Sequence, residues 1–263
     1  MSERSIGVGA LLDGKRLLFT GVVSEASIAF AAAAQAQRLG AEIVLTALDR
    51  DRERAVETAS QLPAPVDVLD LDVTRAEDFT ALTEELRGRW GVLDGALHAV
   101  AFAPRAALAG EFLDADGESV ARAFAASTYS YPALARVVAE LAPDDGGSIV
   151  GLDFDAAGAW PVYNWMGVCK AALESASRYV ARDLGPRRIR SNLIAAGPLR
   201  TRAASGIPSF ELLEQAWEDR SPLPWDLEDP APVGDAACFL LSDMSRAITG
   251  EILHVDGGYH AMA

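Results

Sequence analysis

The stretch "RLLFTGVVSEASIAFAAAAQAQRLGAEIVLTAL", residues 16–48, holds two short apolar runs separated by a glycine, a serine and an alanine-rich segment of helical length. The runs are continuously hydrophobic. A sheet covered on one side would carry a polar residue at every second position, so unbroken apolar runs indicate parallel strands covered on both faces. Gly21 closes the first run and Ser27 opens the helical segment, so the order reads strand, turn, helix, strand. The same rhythm continues through "VDVLDLDV" (66–73), "LDGALHAVAF" (93–102), "GSIVGLDF" (147–154), "IRSNLIAAG" (189–197) and "GEILHVDGG" (250–258). Helical segments fall at 27–40, 75–90, 117–141, 160–184 and 233–244. This alternation predicts an α/β fold: a doubly wound, parallel, seven-stranded sheet with helices on both faces.

No linker or internal repeat divides the chain, so residues 1–263 read as a single domain. The rhythm breaks at 201–229, where Pro208, Pro222 and Pro224 flank the amphipathic piece "FELLEQAWEDR". Two readings are open for it: a segment covering a ligand crevice at the carboxyl ends of the strands, or a plain connecting helix and loop.

Composition removes several classes of partner. A formal net charge of -15 argues against nucleic acid and anionic membranes, which reward clustered positive charge. The opening residues have no long apolar stretch behind their charges, and no run approaches a membrane span, so a cytoplasmic protein is expected. Cys169 and Cys238 are too few for a disulfide framework. His98, His254 and His260 show no ligand spacing with either, so no metal site is expected.

The first turn lacks the G-x-G-x-x-G of many dinucleotide sites; only Gly21 is present. Ser27 and Ile28 nevertheless open a helix whose free amides suit a phosphate, although any strand-to-helix turn can carry a glycine and a serine. After the second strand, Leu48 is followed by Asp49, placed to hold adenosine ribose hydroxyls and to favour NADH over NADPH. Arg50 beside it would attract a 2'-phosphate, so the reading is a lean towards NADH. Asp72 and Val73 end the third strand, where they either grip an adenine or begin the next helix with a capping carboxylate.

Twenty-one of the 23 basic residues are Arg, and Lys170 is one of only two Lys. It follows Tyr163 by seven residues, a spacing that turns a helix through about 700° and puts both residues on one face. A compact ammonium is not replaced by Arg's planar fork at every site, which makes this Lys worth explaining.

With "TGVVSEASIAF", "LDLDV", "GGSIVGLDFD", "YNWMGVCKAALES", "RSNLIAAGPLRT" and "TGEILHVDGG" in order, the chain resembles the short-chain dehydrogenase/reductase superfamily. Within it, the chain resembles the enoyl-acyl-carrier-protein reductases of mycobacterial and actinobacterial type. The resemblance implies a Rossmann-type domain that uses NADH to reduce the 2,3-double bond of trans-2-enoyl thioesters on acyl-carrier protein or CoA, in fatty acid elongation. It implies Tyr163 as donor to the thioester oxygen and Lys170 as the group on the nicotinamide ribose, with Phe154 bordering both ligands. Met166 and Phe102 would line the substrate, and Val100, Ala101, Leu199 and Thr201 the cofactor. A homotetramer is also implied.

The chain departs from the family at "HAVAFAP" (98–104), where Ala99 lacks a hydroxyl and Ala101 adds a methyl. The segment after Thr201 is shorter than in the long-chain mycobacterial enzymes, which implies medium to long acyl chains. Arg200 and Arg202 at the pocket lip are candidates for docking an acidic carrier, or simply solvated arginines. Two rival readings remain. A ketoreductase would have a Tyr four residues before a Lys, which is absent; a dinucleotide-sensing regulator would commonly have lost the Tyr or the Lys, and both are present.

Overall fold

A computed structural model describes residues 11–202, 204–207 and 209–262; Pro208 and the first ten residues, used in the sequence reading, lie outside them. In chain order the elements are β1 (Arg16–Thr20), α1 (Ile28–Arg38), β2 (Glu42–Ala47), α2 (Arg52–Ala59), β3 (Val68–Asp70), α3 (Ala76–Trp90), β4 (Gly95–His98), α4 (Arg105–Leu108) and α5 (Gly117–Phe124). Then come α6 (Ser130–Leu141), β5 (Gly147–Asp153), α7 (Asn164–Leu184), β6 (Ile189–Ala196), α8 (Glu211–Arg220), α9 (Ala231–Leu241) and β7 (Ile252–Val255). The seven strands form one sheet in the order β3-β2-β1-β4-β5-β6-β7, and every pairing is parallel.

The two sheet faces carry separate apolar layers. Leu17, Phe19, Leu97 and Val150 pack beneath α1 and α9. Leu18, Ala96, Ile149 and Leu193 point the other way, towards α3, α6 and α7. Alternate residues of a strand face opposite sides, so both faces must be apolar, which is why the runs in the sequence were unbroken. Truncating a fully buried member such as Leu97 to Ala should cost ~2–5 kcal/mol. The alanines of α1 serve close packing. A Cβ built on Gly234 of α9 would stand 3.0 Å from the backbone of Ala31 and Ala32, so only a small residue lets the helices approach.

Helices α2 and α4, the latter a single turn, were not foreseen, nor was a break inside the segment 117–141. Helix α2 is short and largely polar, burying only Ala55, Thr58 and Ala59, so its period was too weak to read. Between α5 and α6 the chain continues through a wider π-type turn at Ala125–Tyr129 rather than a regular helix. The order in which strands are added switches between β1 and β4: β2 and β3 extend the sheet one way and β5 to β7 the other, with every strand parallel. The crevice at the carboxyl ends of the strands beside that switch is where ligands of such sheets bind.

Candidate active site

A cleft of about 1400 Å³ runs along those strand ends. One end is bordered by Leu48, Asp49, Asp72 and Val73, the middle by Gly21, Ser27 and Ile28 on one side and by Val100, Ala101 and Phe102 on the other. The far end is bordered by Phe154, Tyr163, Met166, Lys170, Leu199 and Thr201. The residues expected to hold cofactor or substrate therefore all face one cavity, although they span 181 positions from Gly21 to Thr201.

The middle is shaped for close approach of a phosphate. Gly21 has φ +80, and a Cβ there would lie 2.2 Å from the Ala99 carbonyl oxygen, so any other residue would be both strained and overlapping. Ser27 caps α1, its hydroxyl accepting from the Phe30 amide at 3.1 Å, and the first-turn amides behind it open onto the cleft. The hydroxyl absent at Ala99 leaves no broken backbone contact, because Thr20 Oγ1 accepts from the Ala99 amide at 2.9 Å and donates to Leu97 O at 3.1 Å.

The end bordered by Leu48, Asp49, Asp72 and Val73 is open and polar. Asp72 neither caps α3 through a side-chain bond nor lies free: its Oδ1 accepts from the Thr74 amide at 2.9 Å and the Thr74 hydroxyl at 2.6 Å, while Arg75, the N-cap position of α3, makes no side-chain capping bond. Burial works against the charge on Asp72, but the two Thr74 bonds and Arg75 hold its carboxyl below the usual range. Arg50 leans on Asp51 at 3.5 Å, which partly offsets its attraction for a phosphate.

The far end is dry and aromatic. Tyr163 does not sit inside α7, as the spacing predicted; it precedes the helix, between Val162 (φ 57) and Asn164 (φ 37). Left-handed backbone at a β-branched residue is strained and persists only where neighbours hold it. Here Asn164 Nδ2 donates to the carbonyls of Leu108 and Gly110 at 3.2 and 3.0 Å, and Trp165 stacks on Phe112 at 4.8 Å. The Tyr163 ring lies 5.1 Å from that of Phe154, which also meets Trp160 and Trp217. Trp217, on α8, stacks on Tyr259 at 3.8 Å, so residues from the 201–229 segment and the C-terminal region close this end. Trp160, Trp217 and Tyr259 were missed in the sequence because they come from three separate segments that only the fold brings together.

Tyr163 is buried, and its hydroxyl has no hydrogen-bond partner among the described residues. Burial, then the nearby Asp153 and Cys169, push the phenol above its ordinary pKa, so it stays protonated and able to donate. Lys170, also buried, donates to the Leu152 carbonyl at 2.7 Å, leaving its other protons for a ligand. Burial lowers its pKa, while Asp153 and then Cys169 oppose that. The free middle, the N-terminus of α1 and the buried ammonium suit a dinucleotide running from Asp49 to Lys170.

One surface expectation is corrected. Arg200 is not available for an acidic carrier: Glu214 clamps it at 2.6 and 3.1 Å and Glu228 at 3.1 Å, a helix carboxylate from α8 having taken the guanidinium. Arg202, the other candidate, does border the cleft, as do Arg105 and Arg122.

A parallel sheet in this order, with a phosphate-ready turn and a Tyr and Lys at the far end, defines a dinucleotide-dependent oxidoreductase of the short-chain dehydrogenase/reductase class. Residues 21–260 match the family described as enoyl-(acyl carrier protein) reductase, and the chain belongs to that family. It is similar to the enoyl-acyl-carrier-protein reductase (NADH) of Mycolicibacterium smegmatis, 43% identical with 94% of this chain and 97% of that protein covered. The protein of the same name from Mycobacterium avium is 42% identical, covering 95% and 98%. That of Neisseria meningitidis is 41% identical, covering 94% and 95%.

Proposed function

We propose that this chain reduces the 2,3-double bond of trans-2-enoyl thioesters with NADH, in fatty acid elongation. The observation that carries the reading is a buried, protonated phenol with no internal partner at the same cleft end as a buried ammonium. When bound, NADH supplies the hydride. Tyr163 donates a hydrogen bond to the thioester oxygen, where negative charge gathers as hydride reaches the β-carbon. A phenol held above its ordinary pKa stabilises that oxygen without giving up its proton. Lys170 holds the ribose hydroxyls and adds positive potential. Asp49 accepts from the adenosine ribose and disfavours a 2'-phosphate.

Phe154 forms one side of the reacting end, and Met166 and Phe102 line the acyl path. Residues 1–263 act as one catalytic domain, with 201–229 as its cover: α8 presents Leu213 to the cleft and Trp217 to the aromatic cluster. No helix among the described residues is long and apolar enough to cross a membrane, consistent with the cytoplasmic location we propose. The exposed Phe124, Tyr129, Val168 and Tyr179 on the α5–α7 side fit burial between subunits of a homotetramer.

The test is NADH consumption with crotonyl and dodecenoyl thioesters on both CoA and acyl-carrier protein. Oxidation dependent on the unsaturated thioester is expected; oxidation with a β-ketoacyl thioester only would return the ketoreductase reading, and NADH binding without turnover a sensing role. Octenoyl, dodecenoyl and hexadecenoyl thioesters rank chain length, and a clear preference for hexadecenoyl would overturn the medium-chain reading.

A further inference from the structure

Strand β5 ends in a carboxylate to which the reaction so far assigns no task. Asp153 is 5% exposed, and neither of its oxygens has a hydrogen-bond partner among the described residues. The Phe154 amide lies near enough to favour the charged form slightly, without meeting hydrogen-bond geometry. A carboxylate without water or donors is expensive to keep, and replacing it by an uncharged residue would ordinarily stabilise the fold. Its persistence needs a nearby charge that uses it.

That charge is on the facing helix. Lys170 is also 5% exposed, and its ammonium is bound to the carbonyl of Leu152, the residue immediately before Asp153. Cation and anion therefore hang on adjacent residues of one strand end without a direct bond between them. The other titratable groups around the pair do not fill the same role. From β4, His98 is neutral, because burial pushes its pKa to about 3, and its Nε2 is bound to Ser130. On α7, Cys169 stays a thiol because burial raises its pKa, and Glu174 is turned to the Ala156 amide and Arg178. Asp155 lies in the loop beyond, its Oδ1 accepting from Ala157, and Tyr163 is an uncharged phenol. Asp153 is the anion left to oppose the loss of Lys170's proton.

We propose that Asp153 is a positioning residue for the reductase: its buried carboxylate is the counter-charge that keeps Lys170 an ammonium in the dry end of the cleft. The consequence for catalysis rests on the reading of Lys170 as the ribose-binding group. As a neutral amine, Lys170 would hold the ribose hydroxyls weakly and lose its positive potential. Asp153 extends the pH range over which the cation survives.

The chain's two lysines make a direct test possible. With 13C at the lysine ε-carbon, nuclear magnetic resonance shows two signals, and Lys15, ion-paired to Asp94 and Asp243, is the internal control. In Asp153→Asn the Lys170 titration midpoint should fall by about one pH unit or more, a tenfold loss of proton affinity, with Lys15 unmoved and Asp153→Glu close to wild type. The alkaline limb of NADH affinity, read by fluorescence, should move down in parallel. An unchanged Lys170 midpoint overturns the proposal, as does an NADH affinity reduced equally at every pH, which marks a merely structural role. If Asp153→Asn does not fold, the wild-type Lys170 signal decides: it should show a second inflection as Asp153 ionises near pH 7, and its absence overturns the proposal. A shifted midpoint with NADH binding untouched would instead reject the ribose role of Lys170 while leaving the counter-charge in place.

Discussion

Asp72 and Asp153 border the same cleft, one just past β3 and the other at the end of β5, yet they live in opposite surroundings. Asp72 is half-exposed and engaged by Thr74 through Oδ1, and its carboxyl sits below the ordinary range despite some burial. Asp153 is buried and unengaged, and burial, only partly countered by Lys170, lifts its pKa to about 7. The Asp49 and Asp72 end thus holds its charges in water and turns, where they contribute little to stability. The Tyr163 and Lys170 end holds its charges dry, where each acts strongly on its neighbours.

If the dry end performs the chemistry, the largest effect should come from Tyr163→Phe, which removes one donor and keeps the ring against Phe154. We expect kcat to fall ~10²–10³-fold with NADH affinity nearly unchanged, measured by steady-state rates beside NADH titration. A fall of less than about threefold would move the donor role elsewhere.

Next in size is the pH dependence of stability. Asp153 binds its proton more tightly folded than unfolded, so its contribution is fully present below about pH 4 and is lost as pH rises to about 7. Asp153→Asn should therefore gain on wild type between pH 4 and pH 8 by a few kcal/mol at most, seen in urea unfolding at the two pH values. Asp72 has the opposite sign: its contribution is present above about pH 4 and lost as pH falls through its lowered folded value. Asp72→Asn should cost only a few tenths of a kcal/mol at pH 7, because solvent screens an exposed group, and that difference should vanish at lower pH. Equal slopes for the two variants would break the comparison.

Between these lies cofactor choice. Asp49→Ser should narrow the preference for NADH over NADPH by roughly tenfold, about the worth of one charge-assisted bond, measured as the ratio of kcat/KM values.

Much of this was legible in the chain. The unbroken apolar runs set a parallel sheet, and Gly21, Ser27, Asp49 and the Tyr163–Lys170 pair all face the cleft. "GLDFD" also contains a readable anomaly, an Asp closing a buried and mostly apolar strand. What stayed hidden depended on contacts across long sequence distances. Arg200 reads as a free lip charge until α8 folds back and Glu214 meets it. Tyr163 reads as helical until Asn164 reaches the carbonyls of Leu108 and Gly110 and fixes a left-handed entry into α7.

By itself the sequence determined the order of strands and helices, the single phosphate-ready turn and the scarcity of lysine, because these follow from local hydrophobic pattern and residue type. Only the tertiary structure decided which charges are dry. Desolvation depends on everything packed around a group, and that is why two aspartates of one cleft hold their protons so differently.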